Sequence, residues 1–288
     1  GAAQLPGAQL LQEKLAGFSR HRALPRWHTG TPLPRSLSPP AGDGPEVVVL
    51  FDTFTRYFEP DNGHALISVL RKLGCRVHIA GDVNARPLCC GRTFLSVGLI
   101  DEARTEAHRL ICALTPYLER GIPIIGLEPS CLLTLRDEYP ALLTAPLTNE
   151  LSEQSLLLEE FIARSHEQLR FDFETSAPCR VAVHGHCHQK AFATLDAMTS
   201  TLQLFPGIET EFITSSCCGM AGAFGYQRET YDVSLQMAEL SLLPAIRKLP
   251  DAAVILANGT SCRTQIAHGT GRQALHLAVL LDQRLTGH

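Results

Sequence analysis

Two vicinal cysteine pairs, each followed by a glycine, are the groups in this sequence best suited to chemistry. They are Cys89-Cys90-Gly91 in the first half of the 288-residue chain and Cys217-Cys218-Gly219 in the second. One more cysteine follows each pair, Cys131 and Cys262, and the second half adds Cys187 before its pair. Gathered thiolates bind soft metals, either a zinc ion or an iron–sulfur cluster. The adjacent cysteines favour a cluster, because neighbouring residues can reach two different irons without straining the backbone.

The second half holds a full set of four such cysteines, with histidines and glycines around them. His186 and His188 flank Cys187 and could ligate, relay protons or donate a hydrogen bond that tunes a reduction potential. Gly219 and Gly222 are predicted to let the backbone pass close to a cofactor, with N–H groups directed at sulfur. These two histidines and two glycines are the predicted cofactor-binding residues, and no catalytic residue is assigned. The predicted metal ligands are Cys187, Cys217, Cys218 and Cys262.

The first half offers an incomplete version of the same site. In the internal alignment of the two halves, Thr53 stands where Cys187 does. Three thiolates hold a cluster only with a non-cysteine or external fourth ligand, so we expect this half to bind metal more weakly or not at all. A vestigial site is the alternative. The weaker candidate ligands are Cys89, Cys90 and Cys131.

Short apolar runs alternate with helical patterns along both halves, as is typical of βαβ units and a parallel sheet. Strands are predicted at 47–51, 76–80, 122–127, 180–184, 211–214 and 252–257. Helices are predicted at 9–18, 64–73, 101–119, 155–163, 190–204, 227–248 and 274–285. The remaining cysteines are expected to pack as small hydrophobes within or beside these elements. They are Cys75, Cys112 and Cys179.

The same order of strands, helices and cysteines occurs twice, which makes an internal repeat of roughly 130 residues. We expect an α/β protein of two pseudo-symmetric lobes related by a pseudo-twofold axis, each with a mostly parallel sheet flanked by helices. The carboxyl ends of parallel strands line one edge of a sheet, where α/β proteins place ligands. Since each cysteine of the second half follows a strand, the four are predicted to converge on one pocket.

Domain boundaries follow from a change in composition. Residues 1–45 are proline-rich and are predicted to be a linker or leader, followed by a first lobe at 46–170 and a second lobe at 171–288. The chain starts at Gly1 instead of a methionine. We therefore expect a processed or truncated piece, or one with a tag scar, whose leader tethers it to an upstream domain.

Composition excludes several classes of protein. The hydrophobic fraction of 45% is too high for a disordered chain. The longest apolar runs are about half of the ~20 residues that span a bilayer, so no transmembrane segment is expected. A net charge of −4 argues against a nucleic-acid binder. Ten cysteines without a signal peptide indicate a reducing compartment, so the predicted location is cytoplasmic, with peripheral attachment to the inner membrane as an alternative.

Cys-Cys-Gly with a downstream cysteine, twice in one chain, resembles the cysteine-rich CCG domain family over about residues 46 to 286. The family includes a component of heterodisulfide reductases and the iron–sulfur subunits of enzymes that oxidise glycolate, lactate and glycerol-3-phosphate. The segments 51–60, 126–131 and 186–190 are most similar to the carboxyl-terminal region of FAD-linked oxidase and ferredoxin fusions. The family often has Cys-x-x-Cys where Glu128 and Gly259 take the first position here, which favours one four-cysteine site.

The resemblance implies an iron–sulfur electron-transfer module, with a [4Fe-4S] type of cluster, in a flavin-linked oxidoreductase. The expected substrate of the whole enzyme is a D-2-hydroxy acid of the 2-hydroxyglutarate, lactate or glycolate type. FAD is expected in upstream flavin and ferredoxin-like domains, which together with an electron acceptor are the expected partners. The chain alone is not expected to be active. The alternatives are a zinc-stabilised structural or docking domain and a thiol–disulfide redox module.

Overall fold

The computed structural model describes residues 8–37, 44–81, 84–143, 147–175 and 177–286. Within these ranges the strands form two four-stranded sheets, and each sheet is the centre of one lobe. The strands of the first lobe are β1 (Glu46–Val49), β2 (Arg76–Ile79), β3 (Ile124–Gly126) and β4 (Ser155–Leu157). The strands of the second lobe are β5 (Cys179–Val183), β6 (Ile208–Phe212), β7 (Val254–Leu256) and β8 (Ala274–Leu275).

Both sheets have the same strand order, β2-β1-β3-β4 in the first and β6-β5-β7-β8 in the second. In each, the first strand lies beside the second on one side and the third on the other. Parallel registers pair Val49 with both Ile79 and Ile125, and Val183 with Leu256. The predicted fold, two α/β lobes that each contain a parallel sheet flanked by helices, is confirmed.

Helices connect the strands of both lobes. The described α-helices are α1 (Ala8–Ala16), α2 (Thr53–Tyr57), α3 (Pro60–Lys72), α4 (Arg92–Leu95), α5 (Ile100–Leu118), α6 (Pro129–Leu132), α7 (Glu138–Leu142), α8 (Thr148–Gln154), α9 (Leu158–Ser165), α10 (Cys187–Ala191), α11 (Leu195–Gln203), α12 (Tyr231–Glu239), α13 (Leu242–Lys248), α14 (Thr260–Thr270) and α15 (Leu277–Asp282). Short 3₁₀ helices occupy Leu133–Leu135, His166–Gln168 and Gly222–Gly225. None of the helices in the described ranges is long and apolar enough to cross a membrane.

The central strands are apolar on both faces because helices cover both sides of each sheet. Val47, Val48 and Val49 of β1 are fully buried, and so are Val181 and Ala182 of β5. Strands covered in this way form continuous apolar runs without alternation. The edge strand β6 differs, since none of its residues is fully buried.

The chain divides into two compact units by contact. One contains the described residues up to Arg26, with Cys179–Cys187 and Glu209–Leu275; the other contains Trp27–Pro178, His188–Ile208 and the described residues from His276 onward. Each has its own apolar core, built around Met220 and Ile266 in the former and around Leu110 and Tyr139 in the latter. This division groups residues by contact and does not test the predicted domain boundaries, which stay a prediction.

Two helices from the second half of the chain, α11 and α15, belong to the unit that holds the first sheet. Within that unit α15 packs on α3, and α11 packs on α9. The Lys72 Nζ fixes the first pair by donating to Oδ1 and to the carbonyl oxygen of Asp282, at 2.8 Å in each case. Helix α11 is joined to α9 by the Thr201 hydroxyl, which donates to the Glu159 carbonyl oxygen at 2.9 Å.

Each sheet has a fourth strand where the sequence pattern predicts a helix. The pattern at 155–163 predicts one helix, yet the structure has β4 before α9; likewise 274–285 contains β8 before α15. These predictions were wrong because a strand of two or three residues is too short for its periodicity to differ from that of a helix. The predicted long helices at 190–204 and 227–248 are also each divided into two.

The described part of the predicted leader is packed against the protein at several positions. Ser19 and Arg22 are each 2% exposed, and Leu33 is 4% exposed. Leu33 lies against the backbone of Gly63 in α3, where a Cβ would collide with its methyl groups. These residues therefore contribute to the folded structure.

A buried carboxylate at the start of α9 offers a test of this architecture. The Glu160 carboxylate accepts hydrogen bonds from Arg136 Nη1 at 2.8 and 2.9 Å and from the Leu157 N–H at 3.0 Å, which fixes the passage from β4 into α9. Glu160→Gln is expected to lower the free energy of unfolding by about 2–3 kcal/mol, because it leaves the Arg136 charge unpaired. Urea unfolding followed by circular dichroism measures the change.

The control is Glu167→Gln, which removes the charge of an exposed glutamate a few residues later. We expect it to change the free energy of unfolding by less than about 0.5 kcal/mol. Equal effects of the two substitutions would show that the Glu160 contacts do not stabilise the junction.

Candidate metal centre

The cysteines lie just after the carboxyl ends of neighbouring strands, either on a loop or in the first turn of the helix that follows. In the second lobe Cys187 follows β5, the Cys217-Cys218 pair follows β6, and Cys262 follows β7. Because β5 lies between β6 and β7 in the sheet, the three loops emerge side by side. The Ile213 N–H donates to the Val183 carbonyl oxygen at 2.9 Å and extends the pairing of β6 with β5 towards the Cys-Cys-Gly loop.

Three thiols of the second lobe are in contact with one another. The Cys218 thiol forms hydrogen bonds with both Cys217 and Cys262 and therefore lies between them. Hydrogen bonding to Cys218 and burial raise the pKa of Cys217. The bond with Cys217 lowers the pKa of Cys218, but its bond with Cys262 and burial outweigh this and raise it. These two thiols are thus protonated at neutral pH, so a metal must displace their protons on binding.

Cys187 lies beside a buried histidine. Its Sγ is 3.9 Å from Nδ1 of His186, and its side chain is exposed. The His186 ring packs against Gly259, where a Cβ would overlap the ring and would lie 3.4 Å from Cys262 Sγ. His186 thereby connects Cys187 with the loop that carries Cys262. In the consecutive residues His186, Cys187 and His188, one ligand atom of each lies within 4.8 Å of the others.

The glycine of each Cys-Cys-Gly motif makes a tight turn that directs its N–H at a sulfur. Gly219 has φ +81°, and its N–H donates to Cys217 Sγ at 3.3 Å. Gly91 has φ +77°, and its N–H donates to Cys89 Sγ at 3.5 Å. Only glycine adopts this left-handed conformation without strain. A Cβ on Gly219 would in addition collide with the carbonyl oxygen of Ser234.

The two other predicted cofactor-binding residues have weaker ties to the thiols. Gly222 begins a 3₁₀ helix with φ +61°, and a Cβ there would meet open space. His188 lies in α10, where burial and then the charge of Arg92 lower its pKa. Their assignment stays a prediction. A third histidine, His184, is buried, and its Nδ1 is 2.8 Å from the Ser215 hydroxyl.

The three cysteines of the first lobe also meet. The Cys90 thiol forms hydrogen bonds with Cys89 and Cys131, and Thr53 forms one with Cys89. A hydroxyl thus contacts the thiol group at the position where the second lobe has Cys187. The bond with Cys90 lowers the pKa of Cys131, but burial and the nearby Asp52 raise it to about 11.

Carboxylates lie beside the thiols of the first lobe. A small cavity of about 10 Å³ is lined by Asp52, Cys90, Glu128 and Cys131, among others. Asp52 accepts a hydrogen bond at the start of α2, and Glu128 does so at the start of α6. The cavity has room for about one water-sized group.

Several side chains that hold these loops were missed by sequence analysis. Arg263 donates from Nη1 to the carbonyl oxygens of Ala257 and Asn258, both at 2.7 Å, and so fixes the turn between β7 and α14. The Tyr139 hydroxyl donates to the Cys90 carbonyl oxygen at 3.1 Å. Their targets are backbone atoms, and a motif search has no signal for such contacts.

The other cysteines differ in burial. Cys75 is buried, and burial raises its pKa to about 12, as expected of a small hydrophobe. Cys179 is half-buried. The prediction was wrong for Cys112, which is exposed. It lies on the solvent face of α5, opposite the face on which Ala107, Ile111 and Leu114 are buried.

The donors of the second lobe fit a thiolate-bound metal. One thiol touches two others, a fourth lies next to a histidine on the same sheet edge, and a backbone N–H points at one sulfur. Thiolates select zinc, copper(I) and iron–sulfur clusters. The first lobe offers three thiols with oxygen donors nearby, which is a poorer match for the same group.

Comparison with known proteins identifies both halves of the chain. The profile of the CCG family, described as a cysteine-rich domain, matches residues 48–136 and 181–267. Each match contains one Cys-Cys-Gly motif and the cysteine after the third strand of the lobe. The two matches agree with the internal repeat and confirm the resemblance found in the sequence.

Three relatives show how the chain relates to longer proteins. It is 27% identical over 286 residues to one of the subunits of the anaerobic glycerol-3-phosphate dehydrogenase of Escherichia coli (strain K12), with 97% of this chain and 70% of that protein covered. It is 28% identical over 294 residues to the D-2-hydroxyglutarate dehydrogenase of Pseudomonas putida, covering 96% of this chain and 27% of that protein. With lactate utilization protein A of Bacillus velezensis the identity is 24% over 245 residues, 79% of this chain and 94% of the relative.

The turn at Gly219 can be tested without any metal. Gly219→Ala is expected to lower the free energy of unfolding by about 2 kcal/mol or more, because strain at positive φ adds to the collision with Ser234. The displaced loop should make Cys217 and Cys218 react with a thiol reagent at least about tenfold faster in the folded protein, since tenfold corresponds to about 1.4 kcal/mol of easier opening.

The matched control is Gly121→Ala. Gly121 has φ +68° with open space around its Cβ position, so this variant contains the strain without the collision. It should lose only about 1 kcal/mol and leave the thiol reaction unchanged. If both variants behave alike, the contact with Ser234 has no part in holding the Cys-Cys-Gly turn.

Proposed function

Because the chain belongs to the cysteine-rich CCG domain family, we propose that its second lobe binds an iron–sulfur cluster and carries electrons. The observation that supports this best is the contact of Cys218 with both Cys217 and Cys262 at the edge of a parallel sheet. Cys187, on the adjacent loop, is the fourth proposed ligand. A [4Fe-4S] cluster takes four cysteine ligands, which is the number that these loops supply.

The vicinal pair favours a cluster over a single zinc ion. Cys217 and Cys218 are adjacent in the chain, and their thiols are hydrogen-bonded to each other. Holding both sulfurs on one tetrahedral ion would strain the backbone between them, whereas a cluster offers a separate iron to each. The alternative is a zinc-stabilised docking domain, and measurement of the bound metal distinguishes it from a cluster protein.

When bound, the cluster would accept and release single electrons. The protein's part would be to hold the four thiolates, to exclude water and to set the potential. The Gly219 N–H directed at Cys217 favours the thiolate form and thus the bound state. His186, buried between Cys187 and Gly259, would orient the ligand loop.

We further propose that the electrons come from a flavin on which a D-2-hydroxy acid is oxidised. The substrate would transfer a hydride, two electrons and a proton, to the flavin, and the electrons would leave one at a time. D-2-Hydroxyglutarate dehydrogenase, a relative, is a much longer protein, and this chain matches 27% of it. Flavin and ferredoxin-like domains would therefore be partners, as would an electron acceptor.

Two finer proposals concern the first lobe and the location of the protein. We propose that Cys89, Cys90 and Cys131 bind metal more weakly than the second lobe, because Thr53 stands where the second lobe has Cys187 and provides a hydroxyl in place of a thiolate. All ten cysteines are free thiols in the structure, which fits a reducing compartment such as the cytoplasm.

Iron content tests the location of the cluster. Cys217→Ser is expected to remove most of the iron from anaerobically reconstituted protein, because it breaks the four-thiolate set. Cys89→Ser should retain most of it, since its lobe lacks a fourth thiolate. The measurements are iron and sulfide per chain and the visible absorbance of the cluster. Cys112→Ser, at an exposed cysteine outside both sites, is the control for the loss of a thiol alone.

Other outcomes would contradict these proposals separately. Equal iron loss from Cys217→Ser and Cys89→Ser would contradict the proposal that the first lobe binds metal more weakly than the second. A colourless protein that contains one zinc per chain, lost in Cys217→Ser, would establish the zinc alternative.

The carrier role predicts that the reconstituted chain alone does not oxidise D-2-hydroxyglutarate, D-lactate or glycolate with a dye as acceptor. None of its side chains accepts a hydride, so the first step needs a flavin from elsewhere. Addition of chemically reduced free flavin should nevertheless bleach the cluster absorbance in the wild-type chain and leave Cys217→Ser unchanged. Turnover of a hydroxy acid by the isolated chain would contradict the carrier role.

A further inference from the structure

Arg22, in the N-terminal segment Gly17–Arg26, is a buried cation without a hydrogen-bond acceptor. Its residue is 2% exposed, and its Nε, Nη1 and Nη2 all lack hydrogen-bond partners in the described structure. Its guanidinium lies over the face of the Tyr231 ring, with 5.3 Å between Cζ and the ring centroid. An arginine side chain has five N–H donors, and burying them unsatisfied is strongly unfavourable.

The N-terminal segment is held next to the Cys-Cys-Gly loop by backbone contacts. The Ser19 N–H donates to the Tyr226 carbonyl oxygen at 2.7 Å, and the Arg228 N–H donates to the Gly17 carbonyl oxygen at 2.8 Å. Phe18 and Gln227 form an antiparallel bridge between these two bonds. The segment therefore pairs with residues 226–228, which follow the 3₁₀ helix after the Cys-Cys-Gly motif, so the burial of Arg22 is built into the fold.

Few of the described groups around Arg22 can become anions. Those that act on its charge are Tyr231, Tyr226 and Cys218, and no carboxylate is among them. A tyrosine keeps its proton at neutral pH. Cys218 loses its proton when it binds a metal, and its thiol contacts those of Cys217 and Cys262 at the sheet edge of the second lobe.

We propose that Arg22 is the counter-cation of the metal–thiolate group on Cys187, Cys217, Cys218 and Cys262, which makes the N-terminal segment part of the second-lobe site. The inference rests on the proposed metal site and deepens it. Four thiolates around zinc, or around an oxidised [4Fe-4S] core, form a dianion, and a buried dianion needs a nearby positive charge. Without a bound metal, no described group accepts a hydrogen bond from the Arg22 guanidinium, and none of the groups that act on its charge is a carboxylate.

This arrangement fixes the direction of two effects. A reduced cluster carries one more negative charge than the oxidised one, so a neighbouring cation stabilises the reduced form and raises the potential. Arg22 also opposes folding when no metal is bound and favours it when a metal–thiolate group is present. The same side chain should therefore be destabilising in one state of the protein and stabilising in the other.

The first measurement is the reduction potential of the cluster in the full, anaerobically reconstituted chain. Arg22→Met, which keeps the length of the side chain without its charge, should lower the equilibrium constant for reduction at least about tenfold, ~59 mV for one electron. Arg22→Lys keeps the charge and should stay within about twofold of wild type. Arg20→Gln is the control, because Arg20 is an exposed charge in the same segment that pairs with Glu13.

The second measurement is the melting temperature with and without metal, and it does not depend on iron. In metal-free protein Arg22→Met should melt at a higher temperature than wild type, because an uncompensated buried charge is gone. In protein loaded with Zn²⁺ the order should reverse, and zinc should leave Arg22→Met at least about tenfold faster to a chelator. A purely structural role of Arg22 predicts the same sign of change in both states.

The outcomes separate this inference from the proposed function. If the wild-type chain takes up no iron but binds zinc through its second-lobe cysteines, the cluster proposal fails and the zinc arm still decides the role of Arg22. If a cluster forms and Arg22→Met changes neither its potential nor the sign of the melting shift, the counter-cation assignment is overturned while the cluster stands. A chain that binds neither metal overturns both.

Discussion

The pairing of the first strand of each lobe with its third strand is the constraint on which the rest of the site depends. It places β1 beside β3 and β5 beside β7, so loops that are far apart in the chain leave the sheet side by side. The chain turns from one side of the sheet to the other at this pair, and the crevice between the diverging loops is where α/β proteins bind ligands. Arg263 strengthens the arrangement in the second lobe, because it holds the carbonyl groups at the end of β7.

The two lobes use this common frame with different side chains. In the second lobe His186 fills the space left by Gly259, and the room between the two loops is occupied by an imidazole. The corresponding residues of the first lobe are Asp52 and Glu128, two carboxylates that cap the following helices and line a small cavity. The exchange of histidine and glycine for two acids changes the donors without changing the backbone. The lobes therefore share a topology, while the side chains at the crevice between the first and third strands differ in chemistry.

Much of this could be predicted from the sequence, because the signals were local. Apolar runs of four or five residues marked β1 and β5, and their alternation with helical patterns indicated a parallel sheet. β4 and β8 could not be distinguished from helix, since two or three residues are fewer than one helical turn and at most one and a half periods of a strand. The cysteines were found from their repeated spacing. Contacts made by single side chains with distant backbone left no such pattern, and the proline-rich composition of residues 1–45 concealed the packing around Arg22.

The packing around Arg22 has a consequence for how the second-lobe site is assembled. Its residues come from four separate segments, of which Gly17–Arg26 is joined to the rest by backbone bonds to Tyr226 and Arg228. Hydrogen bonds between the thiols, together with burial, raise the pKa values of Cys217 and Cys218, so both keep their protons when no metal is bound. Binding a metal there converts neutral groups into buried negative charge, which is unfavourable unless a cation is close by. A positive charge from outside the sheet is the simplest way to stabilise an anionic metal–thiolate group in a buried site. The Arg22 guanidinium of the N-terminal segment provides that charge.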